Sequence, residues 1–427
     1  MSAGKLRLIS REYDGFAKAF AKQASAFEEK TGISIECEFI EVHQLYKTMV
    51  AGGGARSSDY DLFLAVTDWL PELMASGSLT RLNDFLDEDP PQDWPHGWSS
   101  SMLELQTHPD GGIYGIPYHD GPEALHYRTD LFNDPAERAL FRKRYGYDLA
   151  PPRTWSQFLD VAKHFNRPDE GLWGSVVAYY PDAHNNVYDF LIHLWSRGGT
   201  LLTADLKPAF NSPEGREALQ FYVDLLHKHG VVSEECLALD SVKCGYYFAQ
   251  GKAALMWNWI GFAALSQTPG VSSIVDKNLC TMIPRGDGPR GVHTSLNIYW
   301  VLTIPSGSRN KETAYQFIKE TAAPEMDLIT ARSGGTGVRL STWRDSELQK
   351  QFHYYREIEA IHGRVKSPPT IPESAQIIEI LNQMVDDAVK RRTSVEDALQ
   401  KAEGEVFSLL EGAGYYAPGR RPRSAGV

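Results

Sequence analysis

Residues 5–66 pass repeatedly between strand-type and helix-type periodicity, and that alternation restricts the chain to folds in which helices cover a largely parallel sheet. Leu6, Leu8 and Ile9 mark a strand over Lys5–Ser10, after which Phe16, Phe20, Ala24 and Phe27 recur at helical spacing behind a candidate N-cap at Asp14. Gly32 closes that helix. Ile33, Ile35, Cys37 and Phe39 alternate strictly with other residues, as in a strand with one buried face. Val42, Leu45, Met49 and Val50 form a second helical stripe, and Tyr60–Val66 is a short apolar run typical of a parallel strand. The resulting β-α-β-α-β order predicts an α/β fold with right-handed crossovers.

Such sheets bind ligands beyond the carboxyl ends of their strands. The loops Arg11-Glu12-Tyr13-Asp14-Gly15 and Thr67-Asp68-Trp69 are therefore candidate contacts, each mixing charge with an aromatic ring. The same residues equally suit structural roles, Asp14 and Asp68 as helix caps, Arg11 and Glu12 as solvated charges. A chain of 427 residues is long enough for two or three domains. No apolar run approaches the roughly 18–20 residues that cross a bilayer. The formal net charge of −12 argues against a nucleic-acid partner, which needs a basic surface.

Catalytic and cofactor signatures are missing from the sequence. There is no G-x-S-x-G, H-E-x-x-H, P-loop or dinucleotide fingerprint, and the glycines at 52–54 follow a helix, where they act as its stop. The thirteen histidines show no spacing suited to a metal, and His353 and His362 read as exposed helix residues. Cys37, Cys236, Cys244 and Cys280 form no C-x-x-C pair; Cys236 and Cys244 could bridge in an oxidising compartment or remain thiols. We therefore expect no catalytic residues, no metal and no cofactor, although glycosidase carboxylates, remote in sequence, leave a carbohydrate-active enzyme as the alternative.

The run Gly111-Gly112-Ile113-Tyr114-Gly115-Ile116-Pro117-Tyr118-His119-Asp120 leads into Glu123–Phe132 and resembles the "Y-G-[IV]-P" and "Y-R-x-D-L-F" run of bacterial extracellular solute-binding proteins, family 1, the carbohydrate binders of ABC importers. Pro152–Phe158 is similar to "P-x-T-W-x-x-F", Phe210–Leu219 to "F-[ND]-[ST]-P-E-G-x-x-A-L", Phe248–Met256 to "F-x-x-G-x-A-A-M", and Ser308–Ile318 to "S-x-N-K-E-x-A-x-x-F-[IL]". The motifs succeed one another in matching order from Lys5 to about Leu410.

The resemblance implies a two-lobed α/β fold of the periplasmic-binding-protein type II, similar to that of the maltose-binding protein. Each lobe would be a mainly parallel sheet flanked by helices, with a carbohydrate captured in the interdomain cleft by hinge closure. It implies lobes of residues 1–117 with 281–325 and 118–280 with 326–427. Leu279–Pro284 would re-enter the first lobe as a strand, Arg285–Gly291 would be a hairpin loop, and a third crossing would follow near Pro324. A helix after 392 would open on the capping box Thr393–Glu396, and residues 419–427 would be a disordered tail. The expected setting is the periplasm, with a signal peptide removed ahead of Met1-Ser2-Ala3-Gly4, a monomeric protein, and permease subunits as partners.

A sugar offers hydroxyls in its plane and C–H patches on its faces, so its site combines carboxylates, amides and guanidinium groups with rings. On that basis the candidate ligand contacts are Arg11, Glu12, Tyr13, Asp68, Trp69, Tyr118, His119, Asp120, Tyr188, Trp257, Asn258, Trp259, Asn297, Trp300, Gly335 and Arg339, with Tyr299 nearby. Arg11 and Arg339 would be the partners of an anionic solute.

Overall fold

The computed structural model describes residues 4–417, so the expected tail at 419–427 and the first three residues lie outside the described residues. The strands in chain order are β1 (Lys5–Arg11), β2 (Ser34–Ile40), β3 (Leu62–Val66), β4 (Ile116–His119), β5 (Glu123–Arg128), β6 (Trp173–Val176), β7 (Ala253–Trp259), β8 (Asn278–Thr281), β9 (Ser295–Leu296), β10 (Trp300–Thr303) and β11 (Val365–Lys366). They divide between two compact units. Unit 1 holds the chain up to Gly121, Asn297–Gln351 and Thr370–Ser374; unit 2 holds Pro122–Leu296, Phe352–Pro369 and the chain from Ala375.

Unit 1 is built on a five-stranded sheet of order β2-β1-β3-β10-β4. β1 is parallel to β2 and β3, whereas β10 is antiparallel to β3 and β4. Every residue of β3 is buried, as its unbroken apolar run requires of a central strand. The helix Asp14–Thr31 presents Phe16, Ala19, Phe20, Gln23 and Phe27 to the core and ends on Gly32 in the left-handed conformation, φ 71°. Its N-cap is Tyr13, not Asp14, which falls in the first turn, where a carboxylate still favours the helix dipole. The same helix packs on Pro324–Arg332, with Gln23 donating to Met326 O and Thr330 Oγ1. The segment 326–351 thus belongs to unit 1, where a crossing near Pro324 was expected.

Unit 2 has a four-stranded sheet, β6-β7-β5-β8, and a separate parallel pair, β9 with β11. In the larger sheet only β6 and β7 run parallel; β5 is antiparallel to both neighbours. The expectation of mainly parallel sheets therefore gives way to mixed ones, in which β5 and β10 each run against both of their neighbours. β8, expected to return to the first lobe, pairs with β5 in unit 2, and the following segment binds back through Thr154 and Arg285 instead of forming a hairpin.

Thr154 and Ser212 cap the helices Trp155–Phe165 and Pro213–His227 with their side chains. In the helix Val395–Gly412 the cap is Ser394, whose Oγ accepts from Asp397 N–H, one residue later than the expected box. His362 is buried, not exposed, on the inner face of Tyr355–His362. All four cysteines are free thiols. Among the described residues no helix is long and apolar enough to cross a membrane.

Candidate functional site

In unit 1 the carboxyl ends of β1, β3 and β4 share one sheet edge with the start of β10, since Trp300 faces both Val66 and His119 across the ladder. That edge collects Arg11, Asp68, Trp69, His119, Asp120 and Trp300. Trp300 is fixed edge-on by Phe16 and Trp69, with centroids 6.2 and 5.9 Å away, and Trp69 stacks on Phe63. The Arg11 guanidinium lies 5.4 Å over the Trp300 ring. Among the described residues it has no ion pair and its buried Nε has no hydrogen-bond partner; burial lowers its pKa, while nearby Tyr13 and Glu41 oppose that shift.

His119 accepts the Thr336 N–H at Nδ1, 2.8 Å away, and Asp120 N–H returns a bond to Thr336 O. Burial lowers the His119 pKa to about 4, against the opposing charge of Asp120, so the ring is neutral near pH 7. Tyr13 donates its hydroxyl to Gly334 O at 2.7 Å. Gly335 stands beside the His119 ring, and Gly15 permits this approach, since a Cβ there would meet the Gly334 backbone at 2.9 Å. The edge therefore brings together a guanidinium, the side chains of Asp68 and Asp120 and a wall of rings.

Unit 2 presents a second edge, where Glu123 at the start of β5 faces Trp259 at the end of β7. The half-buried indole of Trp259 donates to Asn185 Oδ1 at 2.9 Å, at the first turn of the helix Asn185–Ser196. His184 and Tyr188 flank it, with centroids 5.4 and 6.0 Å away. His184 Nδ1 lies 3.0 Å from the same Asn185 oxygen, and Asn185 Nδ2 reaches Glu123 Oε1 at 3.4 Å.

Several of the expected contacts are packed among, or bonded to, the protein's own groups. Tyr118 stacks on Phe20, 4.5 Å between centroids, and donates to Gln23 inside unit 1. Trp257 is packed among Trp155, Phe158 and His193 in the core of unit 2. Asn258 binds Ser241 O and the Trp259 N–H, and Tyr299 binds Gln106 and the Leu105 N–H. Asn297 donates to Ser101 O, leaving its buried Oδ1 without a partner. Arg339 is 1% exposed, donates to Gln92 O and Ala322 O, pairs with Asp93 and lies 4.3 Å from the Trp98 ring. Both terminal nitrogens of its guanidinium are engaged within unit 1, while the buried Nε has no partner among the described residues. Glu12 is exposed, its N–H bound to Ile40 O.

Sequence reasoning overlooked Glu123, His184, Asn185 and Asp189. The first lies within the family-like run after Gly121, and the others start one helix, where Asn185 and Asp189 share a face through their four-residue spacing.

The model of the family described as bacterial extracellular solute-binding proteins matches residues 10–327. A probable amino-acid ABC transporter periplasmic-binding protein of Sinorhizobium fredii is 22% identical over 97% of this chain and 91% of its own length. A mannitol-binding protein of Pseudomonas aeruginosa is 24% identical, covering 71% of each chain. Among solved structures, maltose-bound MalE3 of T. maritima superposes with a TM-score of 0.83 at 26% identity, over 96% of this chain and all of the other. A ribitol complex of an ABC transporter solute-binding protein from Agrobacterium radiobacter gives 0.81 at 24% identity, over 95% and 98%. With the matched model spanning most of a chain that folds into two α/β units like these, the protein belongs to the bacterial extracellular solute-binding protein family.

Proposed function

We propose that the protein is the substrate-binding component of an ABC importer, binding a carbohydrate or polyol by hinge motion and passing it to membrane permease subunits from the periplasm. The observation that carries this reading is chemical. Each unit's sheet edge sets an aromatic ring, Trp300 or Trp259, beside groups that donate to or accept from hydroxyls: Arg11, Asp68 and Asp120 in one, Asn185 in the other. Rings cover the C–H faces of a sugar while polar groups hold its hydroxyls. The mannitol, ribitol and maltose in the names of the relatives support this class of solute. The protein would act as a monomer without turning its solute over.

A thermal-shift panel of D-mannitol, ribitol, maltose and monosaccharides, with amino acids as a second arm, tests the proposal. A solute at a hundredfold its Kd adds about 2.7 kcal/mol of stability. The expected result is a clear rise in Tm from one sugar or polyol class, with the solute recovered unchanged. A rise confined to amino acids would overturn the solute class, and chemical conversion of a bound sugar would overturn the receptor reading.

A further inference from the structure

Glu123 and Asp189 are fully buried in unit 2, and neither forms an ion pair among the described residues. Their carboxyl groups lie within hydrogen-bonding reach of one another. Glu123 Oε1 takes the Asn185 amide and Asp189 Oδ2 takes the Tyr222 hydroxyl at 2.9 Å; the Trp257 indole also approaches Asp189, while Glu123 Oε2 and Asp189 Oδ1 have no well-formed hydrogen bond among the described residues. Two carboxylates are acceptors only. Ionised side by side they would place two like charges in a dry core, whereas a proton on Glu123 turns its orphan oxygen into a bond to Asp189 and a second proton, on Asp189, removes the remaining charge.

The groups around the pair supply no positive charge. Asp189 is approached by Tyr222, by Tyr179 and Asp182 after β6, by Trp257 of β7 and by Cys244 of Ser241–Ala249. Around Glu123 stand Asn185 and the Ser295 hydroxyl, which donates to the Glu123 carbonyl at 2.6 Å.

We infer that Glu123 and Asp189 form a protonated carboxyl pair, Glu123 donating to Asp189, which orients the Asn185 amide and through it the indole of Trp259. Asn185 presents its amide to Glu123 and its oxygen to the Trp259 N–H. The pair is thus a positioning device behind the edge. Burial raises both pKa values, that of Asp189 to about 8, and the neighbouring Asp189 charge raises Glu123 further. The pair is therefore neutral at pH 7 and gains a negative charge as Asp189 titrates.

Infrared spectroscopy of the full chain at pH 7 tests the proton directly. A protonated-carboxyl band is expected, weakened in Glu123→Gln and in Asp189→Asn and lost when both are combined. Identical spectra in all four proteins would overturn the proposal. The link to Trp259 is read from its indole N–H resonance, assigned by its loss in Trp259→Phe. That resonance should shift as pH rises through about 8 in the native protein and hold still in folded Asp189→Asn. An equal shift in both would overturn the positioning role. Neither readout uses a solute, so both stand or fall apart from the proposed function. The consequence for affinity rests on that function: should only the neutral pair support binding, the Kd rises about tenfold per pH unit above Asp189's pKa.

Discussion

Arg11 lies over Trp300 with no ion pair among the described residues, whereas Arg339 is surrounded by carbonyls, a carboxylate and a ring. The two charges therefore contribute differently. Arg339→Ala leaves buried acceptors at Gln92 and Ala322 unpaired, and should lower folding stability by about 3 kcal/mol in urea titrations. Arg11→Ala removes a largely desolvated charge that only Trp300 and the more distant Tyr13 and Glu41 favour, so stability without solute should change little. Its loss should instead weaken solute binding by about 2 kcal/mol, roughly thirtyfold in Kd by calorimetry, the worth of a hydrogen bond to a charged donor. Unchanged affinity would remove Arg11 from the contacts. In the sequence both arginines stand beside polar, glycine-containing stretches, and only the distant carbonyls that engage Arg339 tell them apart. Tyr118 and Trp257 pose the same difficulty, since a ring that stacks on a solute and a ring that fills a core leave the same mark in sequence.

At the scale of elements, what a short window controls was legible. Gly32 ends its helix, and Thr154 and Ser212 cap theirs, because the side-chain oxygen needs only the N–H three residues on. Thr154→Ala should cost about 1 kcal/mol. Its solute affinity should be unaltered, because the cap acts on helix stability alone. Strand partners were not legible: β8 carries no signal that sends it to β5, since pairing is decided by residues more than a hundred positions away. Gly174 in β6 shows how such contacts constrain sequence. A Cβ there would press into the carbonyl of Ala162, in the helix Trp155–Phe165, so Gly174→Ala should separate helix from sheet at a cost of about 2 kcal/mol. A Tm equal to the native one would show that this helix can move away freely.

For the whole molecule, the buried titratable groups pull stability in opposite directions with pH. His119 in unit 1 has a folded pKa of about 4, below the ordinary histidine value of about 6.5. Between those values the unfolded chain binds the extra proton, so the histidine's contribution is complete above pH 6.5 and is lost as pH falls through 4. The carboxyl pair in unit 2 has the reverse sign. Its folded pKa values are raised, so at acid pH both states are protonated and nothing is lost; as pH rises past 4 the unfolded carboxyls ionise while the folded pair keeps its protons. Each retained proton then costs up to about 1.4 kcal/mol per pH unit, until Asp189 ionises near pH 8. Comparing variants with the native protein cancels the many smaller shifts. Relative to native, His119→Gln should lose less stability as pH falls from 6.5 to 4, and Asp189→Asn should lose less as pH rises from 5 to 8. Urea midpoints at half-unit pH intervals read both. Parallel curves for His119→Gln would mean that the folded ring titrates at the ordinary histidine value despite its burial, and parallel curves for Asp189→Asn would mean that the buried pair is already ionised at neutral pH.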